Sequence, residues 1–325
     1  MRELRIDVLV PITDITAIVT ATHRDRFEPG CRLPLACASA ISRAADKIEV
    51  LRRAAMLGVP TPKMEVVSRP ACELGTLDLD FPIVLKPARS RVRTAAGWKG
   101  SAVSYASDLR SLRAQLDAYV PEQFPIALQE KITGPGVGVF MCFASGKLIA
   151  SFAHERLREK PPSGGVSVLC RSIAMPSDAF EHAQALLTDL GWEGVAMVEF
   201  KRDVRDGTAK LMEINGRFWG SLQLAIDSGV DFPRILIDAA MGHAPAQTPA
   251  YRVGVQSRWF WGDVDALLIQ LFRAGSTARS VRGGRRRALR DFLRMWSRDL
   301  YYENPKWDDP GPWLNETRRW LWGTP

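Results

Sequence analysis

Glu213, Asn215 and Arg217 are spaced by two residues. Side chains alternate between the faces of a strand, so a strand through this segment aligns all three on one surface. They are a carboxylate, an amide oxygen and a guanidinium. The runs Gly194–Arg202 and Lys210–Ile214 read as strands joined through Asp206-Gly207, a hairpin signal. Glu199 on the first strand can then face Glu213 across the pair. Two carboxylates and an amide are hard oxygen ligands that suit Mg²⁺ held together with phosphate oxygens. Arg217 adds a clamp for a phosphoryl or carboxylate group. The competing reading is a solvated hairpin with alternating polar residues, and E-x-N-x-R is too short to decide between the two.

Lys86 ends the apolar run Phe81–Leu85 and precedes Pro87. A lysine leaving such a strand is costly unless its ammonium reaches solvent or an anion. Taken alone it is a strand-end lysine that snorkels to water. The following residues, Arg89, Arg91, Arg93, Gly97, Lys99, Gly100 and Ser101, mix cations, glycines and a hydroxyl that could fold over phosphates. The same composition suits a plain connection. A further segment runs His154-Glu-Arg156-Leu-Arg158 to Gly164-Gly165. Arg156 could hold a carboxylate bidentately, against a bland reading as a charged loop with a glycine turn. His154 reads as structural or rim. Ser221 reads as the cap of a following helix.

The elements that must position these residues can be read from pattern. Ile6–Val10 reads as a strand, 34–58 as one helix closed by Gly58, and 107–119 as a helix begun by a Ser107 cap. Ile126–Gln129 reads as a strand followed by the Gly134-Pro135-Gly136 turn. Val139–Phe143 and Lys147–Phe152 form a hairpin through Ser145-Gly146. Val166–Ile173 is a strand, and 177–190 and 232–241 are helices. Helices mixed with hairpins, rather than strict βαβ alternation, predict an α+β fold with antiparallel sheets.

The order Asp46-Lys47, GVPTP (58–62), FPIVLKP (81–87), LQEKITGPG (128–136) and VEF…LMEINGR (198–217) resembles the ATP-grasp superfamily. Within it, the chain is most similar to the predicted carboxylate–amine ligases related to carbamoyl-phosphate synthetase and biotin carboxylase. The resemblance covers residues 40–240. It implies two α+β lobes with ATP between them, behind a truncated Rossmann-like leader and before a helical C-terminal appendage. The boundaries it implies are 1–45 for the leader, 46–125 for the first lobe, 126–250 for the second lobe with hinge and metal site, and 251–325 for the appendage. It assigns Lys47 and Lys86 to the ATP phosphates, with Lys99 a weaker cofactor candidate. Gln129, Glu130, Lys131 and Ile132 match the hinge that reads the adenine edge. Glu199, Glu213 and Asn215 match the ligands of Mg²⁺, for which Mn²⁺ can substitute. Arg217 matches the arginine at the transferred phosphoryl group, and Arg156 lies where related ligases face the acceptor substrate. The implied reaction uses ATP to activate a carboxylate as an acyl phosphate for attack by an amine or other nucleophile. The alternative is a nucleotide-binding module of regulatory or assembly role. Two departures stand out: residues 88–100 hold only two glycines, and about 45 residues precede Lys47 where relatives carry a full nucleotide-fold domain. A late start or a subfamily without that domain would explain the second.

The chain has 325 residues and a formal net charge of +8, with 34 arginines against 10 lysines. Hydrophobic residues make up 46% and charged ones 25%, which excludes a disordered or fibrous chain. Five scattered cysteines, Cys31, Cys37, Cys72, Cys142 and Cys170, form no CxxC pair, so neither a disulfide framework nor a zinc site is expected. Glu3 and Asp7 interrupt what would be a signal peptide's apolar stretch, and no membrane span is present, so a cytoplasmic enzyme is expected. Its partners would be small-molecule carboxylate and amine substrates, not nucleic acid, with a homodimer left open. In the Trp/Arg-rich tail, Leu289, Phe292, Leu293 and Trp296 form an apolar helix face among arginines. A helix packed on the ligase body with a basic solvated side is favoured over membrane-surface contact through 285–298, because Asp291, Asp299 and Glu303 are interspersed.

Overall fold

The structure, a computed structural model, describes residues 6–70, 77–95, 97–162, 164–243, 245, 247–272, 284–294 and 298–323. Cys72, Trp296 and most of the arginine run that begins at Arg279 lie outside the described residues.

The leader holds α1 (Asp14–Thr22) and α2 (Ala38–Ala44), followed by α3 (Lys47–Met56). The expected strand at Ile6–Val10 is absent. Val8 makes one isolated bridge to Arg32, and among the described residues no strand pairs with this segment to continue the ladder. The expected helix over 34–58 is two helices. It breaks at Ala45-Asp46, where Asp46 turns extended and caps α3 by accepting hydrogen bonds from the Ile48 and Glu49 amides. Gly58, at φ +73, ends that segment as expected.

The first sheet contains β1 (Met64–Val67), β2 (Ile83–Pro87), β5 (Ser104–Ala106) and β6 (Ile126–Glu130), antiparallel in the order β1-β6-β2-β5. Helix α4 (Leu109–Ala118) covers it, packing Leu112 and Leu116 on Ile83, Leu85, Ile126 and Leu128. Its cap is Asp108, not Ser107: the carboxylate accepts from the Ser111 amide, and Ser111 Oγ accepts from the Asp108 amide. Between β2 and β5 the arginine-rich stretch forms a small hairpin, β3 (Arg91–Thr94) with β4 (Gly97–Gly100).

The second sheet contains β7 (Gly136–Ala144), β8 (Lys147–Lys160), β9 (Val166–Ser172), β10 (Gly194–Arg202), β11 (Ala209–Asn215), β12 (Gln256–Arg258) and β13 (Leu300–Tyr302). Its order is β11-β10-β7-β8-β9-β12-β13, antiparallel except for the last pair. Both expected hairpins form. One face packs Val139, Met141, Val198 and Phe200 against α2, α3 and α5 (Ser177–Asp189). The other packs Phe140, Phe152 and Met197 against Trp219, α6 (Leu222–Ser228) and α7 (Phe232–Ala240). Burial on both faces accounts for the nearly unbroken apolar runs of β7 and β10.

The appendage contributes α8 (Phe260–Phe272), α9 (Gly284–Leu293) and α10 (Gly311–Trp322). Asp263 of α8, 1% exposed, accepts hydrogen bonds from Nε of both Arg158 and Arg258, each at 2.7 Å. The same two guanidiniums donate onward to the Asp291 and Phe292 carbonyls in the last turn of α9, at 3.1 and 3.0 Å. Carbonyls of a last helical turn lack intrahelical partners and carry partial negative charge, so two cations satisfy both needs. Trp261 stacks on Trp320, and the Trp259 indole donates to Glu316, as expected of an apolar body for the tail. Trp307 and Trp322 depart from that expectation and are exposed. No helix among the described residues is long and apolar enough to cross a membrane.

Removing Asp263 would leave two enclosed guanidiniums without their shared carboxylate. Asp263→Ala is expected to cost about 3–5 kcal/mol, read as a lower urea midpoint. An unchanged midpoint would show that this cluster does not hold the tail.

Candidate functional site

Glu199 and Glu213 are register partners across β10 and β11, as the two-residue alternation predicts. Asn215 follows on the same face and donates from Nδ2 to Glu213 Oε1 at 3.0 Å. Like charges facing across a strand pair repel, and cations from other elements meet them. The Arg156 guanidinium, on β8, donates to Glu199 Oε2 at 2.5 Å, to Glu159 Oε1 at 3.2 Å and to the Gly165 carbonyl at 3.1 Å. Lys47 opens α3, its amide bonded to the Ala88 carbonyl just after β2. Its ammonium donates to Ser90 Oγ at 2.7 Å and lies 3.6 Å from Glu213 Oε2.

Lys86 approaches from β2. The polar contact of its ammonium is Met212 Sδ at 3.9 Å, and among the described residues no carboxylate lies within ion-pair distance. Burial pushes its pKa down, against the upward pull of Glu213 and Glu199. Burial pushes Glu199 up, against the pull of Arg156 and with the help of Glu213. Glu213 goes the other way: burial opposes it, but Lys47, the Asn215 amide and Lys86 hold it below the usual carboxylate range. Burial likewise opposes the Arg156 charge, and Glu199 and Glu159 hold it firmly protonated. The site therefore pairs one readily ionised carboxylate with one that resists ionisation.

Arg217 donates from Nε to Asp14 Oδ1 at 2.7 Å and from NH2 to Asn215 Oδ1 at 3.3 Å. Asp14 begins α1, so the leader reaches the site. A cleft is lined by Asp14, Lys47, Arg89, Ser90, Glu213 and Asn215 among others. Asp14, Ser90 and Glu159 escaped the sequence reading. An acidic residue after a Thr13 cap carries no signal of a site, and Ser90 was hidden in a segment read by its charges. Glu159 had the one usable signal, its spacing of three from Arg156.

The residues expected at the hinge lie on and after β6. Gln129 is buried, its amide pointing at Met64 Sδ at 3.8 Å. The Glu130 carboxylate accepts from the Lys63 amide at 2.9 Å and from Arg205 at 2.8 Å. Burial opposes these contacts, and together with Lys210 they hold it below its usual range. Lys131 lies over the Tyr105 ring at 5.6 Å, and Ile132 is buried. Lys99 is exposed on β4, outside the residues that line the cleft.

Ser221 corrects an expectation. It stands at the N-cap of α6 without a side-chain cap bond, and its Oγ lies 3.3 Å from His154 Nδ1. Burial, and then Arg156, pushes His154 down to about 3, so the imidazole is neutral and structural.

Glu199, Glu213 and Asn215 bring hard oxygens together on one face, a donor set that fits Mg²⁺. Among the described residues no three His, Cys, Asp or Glu side chains gather as a metal site. A cation here would complete its shell with phosphate oxygens or water.

A family model described as "ATP-grasp in the biosynthetic pathway with Ter operon" matches residues 123–261, from just before β6 to the start of α8. The structure of L-amino acid ligase from Bacillus licheniformis superposes with a TM-score of 0.56 at 17% identity, covering 70% of this chain and 55% of that one. The chain thus matches an ATP-grasp family model over those residues and shares the fold of that structure. The ATP-grasp fold is seen also in the biotin carboxylase domain of Hydrogenobacter thermophilus 2-oxoglutarate carboxylase, solved with MgADP, ADP and bicarbonate. There the TM-score is 0.58 at 16% identity, with 78% of this chain and 58% of that one covered. An ADP complex of N5-carboxyaminoimidazole ribonucleotide synthetase gives 0.55 at 17%, with 77% and 63% covered. This chain thus spans a little over half the length of these structures. A search of curated proteins finds no match.

His154 is held near 3 in the fold and returns to about 6.5 on unfolding. Between those values the unfolded chain binds the extra proton, so stability falls as pH drops through that window. His154→Gln is expected to flatten this slope, measured as urea midpoints from neutral pH downward. A slope unchanged by the substitution would assign the acid loss to other groups.

Proposed function

We propose that the chain is an ATP- and Mg²⁺-dependent ligase that activates a carboxylate as an acyl phosphate for attack by an amine or other nucleophile. One observation carries this reading: the facing carboxylates Glu199 and Glu213, with Asn215 beside them, meet Lys47 and Lys86 from the first lobe. Those are the charges phosphoryl transfer requires, since its catalysis consists mainly of positioning and charge neutralisation.

In this reading Lys86 and Lys47 bind the ATP phosphates. Lys86 is poised for an anion because it is half-buried and, among the described residues, no carboxylate pairs with it at close range. Glu199, Glu213 and Asn215 hold Mg²⁺, which when bound neutralises phosphate charge. Gln129, Glu130, Lys131 and Ile132 flank the base. The Glu130 carboxylate is already engaged by Lys63 and Arg205, which leaves the backbone of this segment for the adenine edge. The substrate carboxylate attacks the γ-phosphorus, the bond to ADP breaks, and an acyl phosphate forms. The amine then attacks the acyl carbon, inorganic phosphate leaves, and the nitrogen gives up a proton. Arg217 steadies the transferred phosphoryl group, and Arg156 orients the acceptor carboxylate.

Lys86→Met removes a desolvated ammonium, so the variant is expected to unfold at higher urea than the parent while losing MgADP binding. Retained MgADP affinity would remove Lys86 from the phosphate site. For the reaction, ADP release should depend jointly on ATP, a carboxylate and an amine. Glu213→Ala should lower it by about 10²-fold or more, the scale for removing one preorganised electrostatic contact. Equal release by Glu213→Ala and parent would sink the ligase reading. ATP bound without turnover across a broad carboxylate and amine panel would favour the nucleotide-binding module.

A further inference from the structure

The appendage encloses space as well as burying apolar surface. Between β8 and helices α8 and α9 lies an open chamber of about 480 Å³. Gly136, Arg156 and Glu159 line its inner wall, and Arg287 and Asp291 line its outer one. Arg156 is the shared partition: one side faces this chamber, and its guanidinium holds Glu199 of the candidate metal pair. A molecule in the chamber is therefore one guanidinium away from the carboxylates proposed to hold Mg²⁺.

Charge is unevenly spread along it. At the inner end Arg156 is answered by two carboxylates, Glu199 and Glu159. Midway, Arg158 is answered by Asp263, which it shares with the fully buried Arg258 behind the wall. The outer end shares Arg287 and Asp291 with a groove of about 420 Å³ lined by Arg286, Arg287, Arg290, Asp291 and Arg294. Asp291 is the carboxylate among them, 3.7 Å from Arg287. Four guanidiniums against one carboxylate make a cationic mouth. Leu157, Leu267 and Phe292 supply apolar wall between the two ends.

We propose that this chamber binds the carboxylate substrate, and that its arginine mouth selects substrates carrying a second anionic group remote from the carboxylate to be activated. The inference rests on the ligase reading for the word substrate; the anion site stands on the arginines alone. A carboxylate at the inner end lies behind Arg156, which holds Glu199 of that pair, and a phosphate or second carboxylate at the far end meets Arg287 and Arg290. Guanidinium forks match both anions bidentately. The appendage, which lies mostly beyond the stretch matched by the family model, is on this account the part that sets specificity.

The test is calorimetric titration of the full chain with two probes, inorganic phosphate and malonate, with MgADP present to fill the nucleotide site. At least one probe is expected to bind, and Arg287→Ala combined with Arg290→Ala to weaken it by roughly tenfold or more. Both arginines are exposed, and unchanged MgADP affinity in the double variant certifies the fold. Binding of phosphate alone points to phosphorylated substrates, and binding of malonate alone to dicarboxylates. Failure of both probes, or an affinity that the double variant does not change, overturns the proposal. So does retention on phosphatidylglycerol vesicles that needs these arginines while neither small anion binds. If the parent chain fails to bind MgADP yet holds the anion through Arg287 and Arg290, the ligase reading falls and the anion site remains.

Discussion

Glu199 and Glu213 face each other across neighbouring strands, and one half-buried cluster must hold two carboxylates against their mutual repulsion. In water such a pair would separate. Here the β ladder prevents separation, so countercharge has to be delivered by other elements. Arg156 comes from β8, Lys47 from the start of α3, Lys86 from β2, and Arg217 from the turn after β11. Much of the architecture follows from that requirement. The first sheet ends at Lys86, the break at Ala45-Asp46 sets Lys47 at a helix start, and α1 supplies Asp14 to balance Arg217.

The cations are not equivalent. Arg156 and Lys47 have close carboxylate partners, whereas Lys86 is desolvated with its nearest polar contact a thioether. A buried ammonium without a close counterion is unfavourable for folding and favourable for capturing an anion. That division between paired and waiting charge is what a phosphate site needs. The same logic recurs in the appendage, where Asp263 serves two guanidiniums and fastens α9 by its carbonyl end. There Arg158 and Asp263 line the chamber beside Arg156, with Arg258 buried behind them.

Much of this was legible because the signals are local. Two-residue alternation placed Glu213 and Asn215 on one face, and Asp206-Gly207 brought Glu199 opposite, since a tight turn sets register over a few residues. The ordered motifs from Asp46-Lys47 to Arg217 carried the superfamily. Local reading failed where long-range competition decided. Ile6–Val10 has strand composition but no sheet edge to join, so it remains one bridge. Helical periodicity ran through 34–58, yet Asp46 offered the backbone a better cap than continuation did. Ser221 looked like a cap until buried His154 stood beside its hydroxyl.

By itself the sequence determined which residues share a strand face, where hairpins turn and which superfamily the chain resembles, because all three depend on neighbours a few residues apart. Which cation answers which carboxylate could be decided only by tertiary structure. Arg156 meets Glu199 across 43 residues, Arg158 meets Asp263 across 105, and Arg217 meets Asp14 across 203. Such pairs are selected by desolvation and proximity after the chain has packed, and an unpaired lysine such as Lys86 looks in sequence like any other. The tail's arginines are the extreme case. Their composition suggested only a solvated basic face, and it took the packing of α8 and α9 on β8 to set them around a chamber behind Arg156.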